Sequence, residues 1–348
     1  MDVVENMDVV EKPWPVWDIS FSPDGRWLAV GCGYRSQAKL WLGGKGEVDV
    51  WNVEDWKLQS GFSAPFTIWV QALAFTPNSK NLIAASDKYI QSDPKTGGPV
   101  VGTPDPWDGY AVFVWNVPEG TLSQNLNIDK SQGSVETLAI SPGGEFLALG
   151  RGNTIPVLHI KTGRQLYEIK DISRWVDFSP DSKLLAATSG MPSVLLYDAA
   201  TGKKGVSIEL PGKELSLTCL RFSPDGKQIA VGVSDGSVRV LAADLSKQLR
   251  SLEVSGEKER VLSLAYAAKA DLLAAATINN VRLFEASSGK QLHEWGKADL
   301  MASSVALSPD GKLLAVGYGG KHNAEGERRG GFVNIWDTKT GRLVKKLD

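Results

Sequence analysis

The side chains that could carry out chemistry are few and widely separated in this sequence. Histidines stand at His159, His293 and His322, and their spacing does not match a metal-ligand set. The two cysteines, Cys32 and Cys219, lie too far apart in sequence to indicate a disulfide framework or a clustered zinc site. We therefore predict no catalytic residue, no metal ion and no cofactor.

Three carboxylates in the stretch 86–110 are the remaining candidates for cation binding. Asp93, Asp105 and Asp108 match no calcium-loop spacing, and two of them adjoin prolines, so we expect solvated turn residues. No glycine-rich phosphate loop or nucleophile elbow stands before a helix, because the chain shows no helical pattern. The chain is expected not to be an enzyme.

The composition argues against a polyanion-binding protein. The 348 residues include 38 basic and 40 acidic side chains, for a formal net charge of −2. The N-terminus lacks a basic start followed by an apolar core, and no stretch approaches the roughly 18 apolar residues of a membrane helix. We expect a cytoplasmic protein that binds no nucleic acid and does not insert into membranes.

A short phrase is repeated along the chain and predicts its secondary structure. It consists of two apolar runs on either side of a Ser-Pro-Asp-Gly turn, the pattern of a β-hairpin. It recurs seven times, in intact or worn form: ISFSPDGRWLAVG from Ile19, LAFTPNSKNLIAAS from Leu73, LAISPGGEFLALG from Leu138, VDFSPDSKLLAATS from Val176, LRFSPDGKQIAVG from Leu220, LAYAAKADLLAAAT from Leu264 and VALSPDGKLLAVG from Val305.

A second phrase follows each first one and supplies two more strands. VNIWDTKTGRLVKKL and VLLYDAATGKKGVSI are examples, in which a Thr-Gly-Lys or Thr-Gly-Arg turn suits a hairpin with a bulge. Units of four antiparallel strands cannot bury both faces alone and must stack on one another. The sequence predicts an all-β fold, a single seven-bladed β-propeller of four-stranded antiparallel blades.

The unit resembles the WD-repeat β-propeller family, with Trp336-Asp337 as the one intact signature dipeptide. Asn follows Trp51 and Trp115, and Tyr197 takes the Trp place in the fourth unit. The Gly-His pair of the family is absent, so we expect its buried hydrogen-bond network to be missing and packing to hold the blades. A quinoprotein-like propeller is the rival interpretation, for which only Trp295 is correctly placed.

The predicted boundaries are an N-terminal arm over 1–15 and a propeller over 16–348. The blades cover approximately 16–63, 64–128, 129–171, 172–211, 212–255, 256–297 and 298–348. The strands of each blade are named a to d in chain order. The C-terminal RLVKKLD is expected to be the outermost strand of blade 7, which leaves the role of the arm open.

Three connections between strands b and c are long, at 32–46, 86–110 and 318–331, or 15, 25 and 14 residues. They belong to blades 1, 2 and 7, which are neighbours in a closed ring, and antiparallel geometry puts all b–c connections on one face. Loops of this length are often functional. Their summed charge of +2 favours a protein partner over a phosphate backbone.

Aromatic and arginine side chains dominate interface hot spots, so we take those in and beside these insertions as candidate partner-binding residues. They are Trp14, Tyr34, Arg35, Trp41, Trp69, Tyr89, Trp107, Tyr110, His322, Arg328 and Arg329. The residues just before strand a should line the inner rim of the same face, and they include Trp17, Arg174 and Trp175. The alternative for these last residues is packing between blades.

Seven further residues are expected to be structural. Trp51, Trp115, Tyr197, Trp336 and Asp337 occupy the signature place of their blades, and Asp177 and Arg221 replace small residues of strand a in adjacent blades. For Asp177 and Arg221 we predict a structural ion pair between the blades, and the alternative is that they present charge to the central channel.

The predicted function is a non-catalytic protein–protein interaction scaffold that binds a protein or peptide on the face of the blade 7, 1 and 2 insertions. One alternative is a propeller enzyme or small-molecule binder at the channel mouth, which needs convergent polar groups that the regular units seldom offer. Another is a fixed structural subunit of a larger complex, with an exposed apolar patch above about a few hundred Å². The oligomeric state is not predicted.

Overall fold

Seven four-stranded antiparallel sheets form the molecule, which confirms the predicted seven-bladed propeller. The computed structural model describes residues 15–34, 45–62, 70–86, 111–126, 128, 135–171, 173–212, 214–296, 301–319, 321–322, 328–329 and 331–347. Predictions that concern other residues, including those of the N-terminal arm, lie outside the described part of the chain. The described part of the chain contains no helix long and apolar enough to cross a bilayer.

The strands run in chain order through the blades, and each sheet has the order a, b, c, d. Blades 1 to 4 comprise β1 Val16–Phe21, β2 Trp27–Tyr34, β3 Lys45–Asn52, β4 Leu58–Phe62; β5 Val70–Phe75, β6 Asn81–Ser86, β7 Ala111–Asn116, β8 Thr121–Leu126; β9 Thr137–Ile140, β10 Phe146–Gly150, β11 Ile155–His159, β12 Gln165–Ile169; β13 Val176–Phe178, β14 Leu184–Thr188, β15 Ser193–Asp198 and β16 Lys204–Glu209.

The remaining strands belong to blades 5 to 7. They are β17 Leu217–Phe222, β18 Gln228–Val233, β19 Ser237–Ala242, β20 Gln248–Glu253; β21 Ser263–Tyr266, β22 Leu272–Ala276, β23 Asn280–Glu285, β24 Gln291–Gly296; β25 Met301–Leu307, β26 Leu313–Gly319, β29 Phe332–Asp337 and β30 Leu343–Leu347. A short hairpin of β27 Lys321–His322 and β28 Arg328–Arg329 stands inside the third insertion, which the sequence analysis did not predict.

The repeated Ser-Pro-Asp-Gly turn is held by its own side chains. In blade 5, the Ser223 hydroxyl donates to Asp225 Oδ1 at 2.6 Å and accepts from the backbone N–H of Gln228 at 2.9 Å. Gly226 takes a φ of 71°, a left-handed conformation in which glycine is unstrained. The hydrogen bond from Ser223 holds the pKa of Asp225 below its usual value. A hairpin with the intact phrase is therefore specified by its local sequence.

The two residues of the signature dipeptide have different structural roles: Asp337 stabilises a turn and Trp336 packs in a core. Asp337 Oδ1 accepts from the backbone N–H and the hydroxyl of Thr340, each at 2.7 Å, and so fixes the turn before β30. The Trp336 ring packs in the core between blades 6 and 7, and its indole nitrogen is buried without a hydrogen-bond partner in the described part of the chain. Packing holds this indole in place.

The other large residues at the signature place also pack between blades. Trp115, 3% exposed, lies in the core shared by blades 1 and 2, and Trp51 packs against the core between blades 7 and 1. Tyr197 is buried between blades 3 and 4, where its hydroxyl donates to Asp171 Oδ2 at 2.5 Å. Each hydrophobic core therefore lies between two neighbouring sheets.

Strand a of each blade packs beside strand a of the next, and β25 packs beside β1, which closes the ring. Blade 7 takes its outermost strand from β30, as the sequence predicted. At the closing seam, the Ser303 hydroxyl donates to the carbonyl of Val16 at 2.6 Å, and the backbone N–H of Ile19 donates to Ser304 Oγ at 3.3 Å.

One hydrogen bond recurs at three successive seams. In each case the acceptor is a side chain on strand a, five positions before the Pro of the hairpin turn. In blade 6, Ala268 takes the place of that Pro. The donor is a backbone N–H on strand a of the next blade. Ser263 accepts from Val305 at 3.2 Å, Ser304 from Ile19, and Asp18 Oδ2 from Leu73 at 2.9 Å. These bonds satisfy N–H groups on inner strands that have no neighbouring strand on that side. They join blades 6, 7, 1 and 2.

The predicted ion pair between Asp177 and Arg221 takes a different form. Asp177 Oδ2 accepts from the backbone N–H of Phe222 at 2.8 Å, whereas Arg221 donates to the carbonyl of its neighbour Leu220 at 2.9 Å. The Arg221 charge acts on Asp177 through space and partly offsets the effect of burial on its pKa. Asp177 joins blades 4 and 5 through the backbone, because the edge of strand a offers an unpaired N–H nearer than the guanidinium.

Candidate functional site

The face that carries the b–c connections also carries the mouth of the central channel. We call this the insertion face, and the residues that line the opening the channel mouth. The b–c connections of blades 3 to 6 are short, as predicted, while those of blades 1, 2 and 7 are long. Because β1 packs beside both β25 and β5, the three long connections leave from adjacent blades.

Four of the predicted partner-binding residues lie in strands, and only their backbone is described. Tyr34 pairs with Lys45 at the end of β2, and His322 pairs with Arg328 in the short hairpin, next to Arg329. The other predicted residues lie outside the described residues, namely Trp14, Arg35, Trp41, Trp69, Tyr89, Trp107 and Tyr110.

The channel mouth is a bowl of about 720 Å³. All seven blades contribute to it, mostly through residues at or just before strand a. Its lining includes Trp17, Gln71, Glu136, Arg174, Trp175, Met191, Ser216, Thr218, Arg260, Met301 and Ser303. Below it a channel of about 620 Å³ runs between the inner strands.

β-Bulges direct four of these side chains into the bowl. The a–b pairing shifts register at Trp17 in blade 1, Gln71 in blade 2, Thr218 in blade 5 and Ser303 in blade 7. A bulge inserts one extra residue and turns its side chain away from the regular alternation. All four residues line the mouth.

Glycines at the end of strand b let the rim segments approach closely. A Cβ on Gly150 would lie 2.2 Å from the backbone oxygen of Arg174, and one on Gly232 would lie 2.9 Å from Val261, which precedes strand a of blade 6. Both glycines end the repeated phrase, as ALG and AVG. The missing side chains allow Arg174 and Arg260 to reach the mouth.

The two predicted rim tryptophans have mixed roles. Trp17 is partly exposed, lines the mouth, and donates its indole N–H to the carbonyl of Gly33 at 3.2 Å. Trp175 lines the mouth and also packs against the cores on both sides of blade 5. Both the rim prediction and the packing alternative therefore apply to Trp175.

The mouth is positive at its rim and more acidic below. Arg174 pairs with Glu136 at 3.5 Å, with both side chains partly exposed, while Arg260 makes no ion pair within the described ranges. In the channel below stand Asp18, Asp177 and Arg221. Burial raises the pKa of both carboxyls, and the Arg221 charge opposes that rise at each.

The polarity of the mouth corrects the expectation that regular units offer few convergent polar groups there. Gln71, Glu136, Thr218 and Arg260 all line it, and sequence reasoning did not select them. Their common signal is a position just before or at the start of the repeated phrase. That signal could have identified Glu136 and Arg260, but the bulges that place Gln71 and Thr218 have no sequence signature.

The channel below the mouth contains a buried thiol. Burial raises the pKa of the Cys219 thiol in the channel to about 12, so the reactive thiolate is scarce at neutral pH. Within the described residues there is no group of three His, Cys, Asp or Glu side chains placed to hold a metal ion. The mouth instead combines aromatic, thioether, hydroxyl and guanidinium groups, a mixture typical of protein interfaces.

Comparison with known proteins gives matches to two WD-repeat family models. Residues 176–258 match the model of the anaphase-promoting complex subunit 4 WD40 domain, and residues 11–41 match that of the WD domain, G-beta repeat. The WD repeat-containing protein SL1-17 of Schistosoma mansoni is 29% identical over 49% of this chain and 52% of its own length.

Two further relatives carry names of larger assemblies. THO complex subunit 3 of Arabidopsis thaliana is 30% identical over 45% of each chain. The small ribosomal subunit protein RACK1 of Drosophila melanogaster is 27% identical over 52% of this chain and 53% of its own. The chain thus spans about half the length of the relatives described here.

Proposed function

Because this chain belongs to the WD-repeat β-propeller family, we propose that it is a non-catalytic scaffold that binds a protein or peptide on its insertion face. The names of two relatives place them in assemblies, a THO complex and a small ribosomal subunit. The fold itself hosts unrelated functions, so the argument depends on the site.

The main support for the proposal is the channel mouth, which is lined by both apolar and charged side chains. It opens on the face that carries the long b–c connections of blades 7, 1 and 2. Met191 on the b–c turn of blade 4 is 66% exposed beside the mouth, and Trp17 and Trp175 line it. Exposed apolar side chains with arginines at the border are the pattern of an interface core and its rim. A partner laid over the mouth would also meet the insertions of blades 7, 1 and 2.

The test is affinity capture with substitutions on the insertion face and matched substitutions elsewhere. Met191→Asp and Arg260→Glu should each abolish recovery of the proteins captured by the wild type. Val206→Asp, at a 55% exposed position on the outer strand β16, and Arg342→Glu, on a c–d turn at the opposite face, are the controls. Both controls should retain the partners.

Capture that survives Met191→Asp, Arg260→Glu and shortening of the three insertions would reject this face as the binding surface. Thermal unfolding of every variant verifies that a loss of capture is not a loss of fold.

A second candidate function is small-molecule binding at the mouth, favoured by Gln71, Glu136, Thr218 and Arg260 around one bowl. It predicts that a low-molecular-weight compound from cell extract co-purifies with the wild type and is lost from Arg260→Glu.

A further inference from the structure

The part of the channel mouth above blade 5 has the chemistry of a carboxylate seat. Arg174 of blade 4 and Arg260 of blade 6 line the mouth on either side of blade 5, whose own contribution is Ser216, Leu217 and Thr218. Two guanidinium groups with hydroxyl groups between them provide several hydrogen-bond donors. We call Arg174, Ser216, Thr218 and Arg260 the blade 5 seat.

Thr218 supplies an independent sign that something polar binds here. Its side chain is 8% exposed, and its Oγ1 lies beside the Cys219 thiol without a partner at hydrogen-bonding geometry among the described residues. An unsatisfied buried hydroxyl is costly, and such groups are normally paired with protein, water or ligand. The a–b bulge holds this threonine at the lining of the mouth.

The arginines are available to a ligand. Arg260 is exposed and makes no ion pair within the described ranges. Arg174 pairs with Glu136 at 3.5 Å, but its side chain is 65% exposed, and surface pairs of this kind contribute little. An incoming carboxylate can therefore bind Arg260 directly and compete with Glu136 for Arg174, and bidentate contact with arginine favours carboxylates.

The charged residues of the channel disfavour binding of an acidic side chain below the mouth. Arg221 is the only cationic side chain among the described residues that line the channel, and its charge already acts on Asp18 and Asp177, so a second carboxylate would find no free guanidinium there. Apolar surface at the mouth, from Met191, Trp175 and Leu217, suits large apolar residues next to the acidic one. The fitting ligand is a peptide with its acidic side chain held at the rim.

We propose that the blade 5 seat binds an Asp or Glu side chain of a partner peptide, with neighbouring apolar residues of that peptide over Met191 and Trp175. This inference rests on the proposed function, because it specifies the partner's chemistry at the same face. It also makes binding sensitive to salt, since exposed charges are screened over about 8 Å at physiological ionic strength.

The experiment selects from a displayed library of random seven-residue peptides on the immobilised wild-type protein. Binding of the enriched peptides is then measured by fluorescence polarisation to the wild type and to Arg260→Glu, Thr218→Val and the control Arg342→Glu. We expect enriched peptides to share an acidic residue flanked by large apolar ones. Arg260→Glu should weaken them at least tenfold and Thr218→Val about tenfold, with Arg342→Glu unchanged.

Thr218→Val separates binding from folding, because the hydroxyl that it removes has no partner at hydrogen-bonding geometry among the described residues and only the Cys219 thiol beside it. Its midpoint of unfolding should be equal to or above that of the wild type while its affinity falls. Replacing the acidic residue of a selected peptide by Gln or Asn should cost as much as Arg260→Glu does.

Two results would overturn the inference in distinguishable ways. Peptides that lose binding to Met191→Asp but carry no acidic residue, or that tolerate both Arg260→Glu and Thr218→Val, would reject the seat and leave the proposed face standing. Enriched peptides that tolerate Met191→Asp as well, or no enrichment at all, would count against the face and the seat together.

Discussion

At the level of single residues, a buried and an exposed aspartate of the same hairpin have pKa values shifted in opposite directions. In blade 4, burial raises the pKa of Asp177 above its ordinary 3.8, and Arg221 and the N–H of Phe222 offset this only in part. Four residues later, the Ser179 hydroxyl and the N–H of Lys183 lower the pKa of Asp181. The direction of the pKa shift therefore depends on where the aspartate lies relative to the channel.

These shifts predict opposite pH dependence for two conservative substitutions. The stability contributed by Asp177 is full below pH 3.8 and is lost as the pH rises through its raised folded pKa. The advantage of the wild type over Asp177→Asn, in free energy of unfolding, should therefore shrink from pH 4 to pH 7. The advantage over Asp181→Asn should shrink when the pH falls below about 4. Urea unfolding across this range measures both, and parallel curves for the two variants would contradict the assignment.

At the scale of elements, close approach between neighbouring blades depends on the glycine that ends strand b. Gly150 leaves room for the backbone of Arg174, and a methyl group there would meet a carbonyl oxygen at 2.2 Å. Backbone cannot move aside as a flexible side chain can. The rim segment is therefore placed by a missing side chain in the preceding blade.

Gly150→Ala should lower the free energy of unfolding by about 1–3 kcal/mol, the usual cost of overpacking. It should also weaken any partner bound through Arg174. Gly256→Ala is the matched control, because its Cβ would lie 3.6 Å from the nearest atom, a side-chain oxygen of Glu253, and its effect should stay within about 0.5 kcal/mol. Equal effects of the two substitutions in urea unfolding would refute the close-approach argument.

Structural features that depend on local residues could be predicted from the sequence, and those that depend on a neighbouring strand could not. Hairpins were predictable because each Ser-Pro-Asp-Gly turn, such as that of Ser223 and Asp225, is satisfied by residues within five positions. The bulge at Thr218 and the contact of Asp177 with Phe222 were not, because both depend on how a neighbouring strand lies in space. The rim was predicted in part, through Trp17, Arg174 and Trp175, since chain direction alone places those residues.

At the scale of the whole molecule, closure of the ring determines which surfaces become neighbours. Blade 7 meets blade 1 through Ser303 and Ser304, and Asp18 continues the contact to Leu73 of blade 2. The connections that are long in sequence thereby leave from three consecutive blades, beside a mouth lined by all seven. The proposed scaffold function depends on this arrangement more than on any single residue.

Binding at the insertion face can be tested by hydrogen exchange of the backbone amides, measured for the chain alone and with a partner captured by the wild type. We expect slower exchange in the segments around the mouth, at 173–175, 189–191 and 260–262, and no change at the opposite-face turn 223–226. Slower exchange at that turn or along the outer strands, with the mouth unchanged, would contradict the central claim.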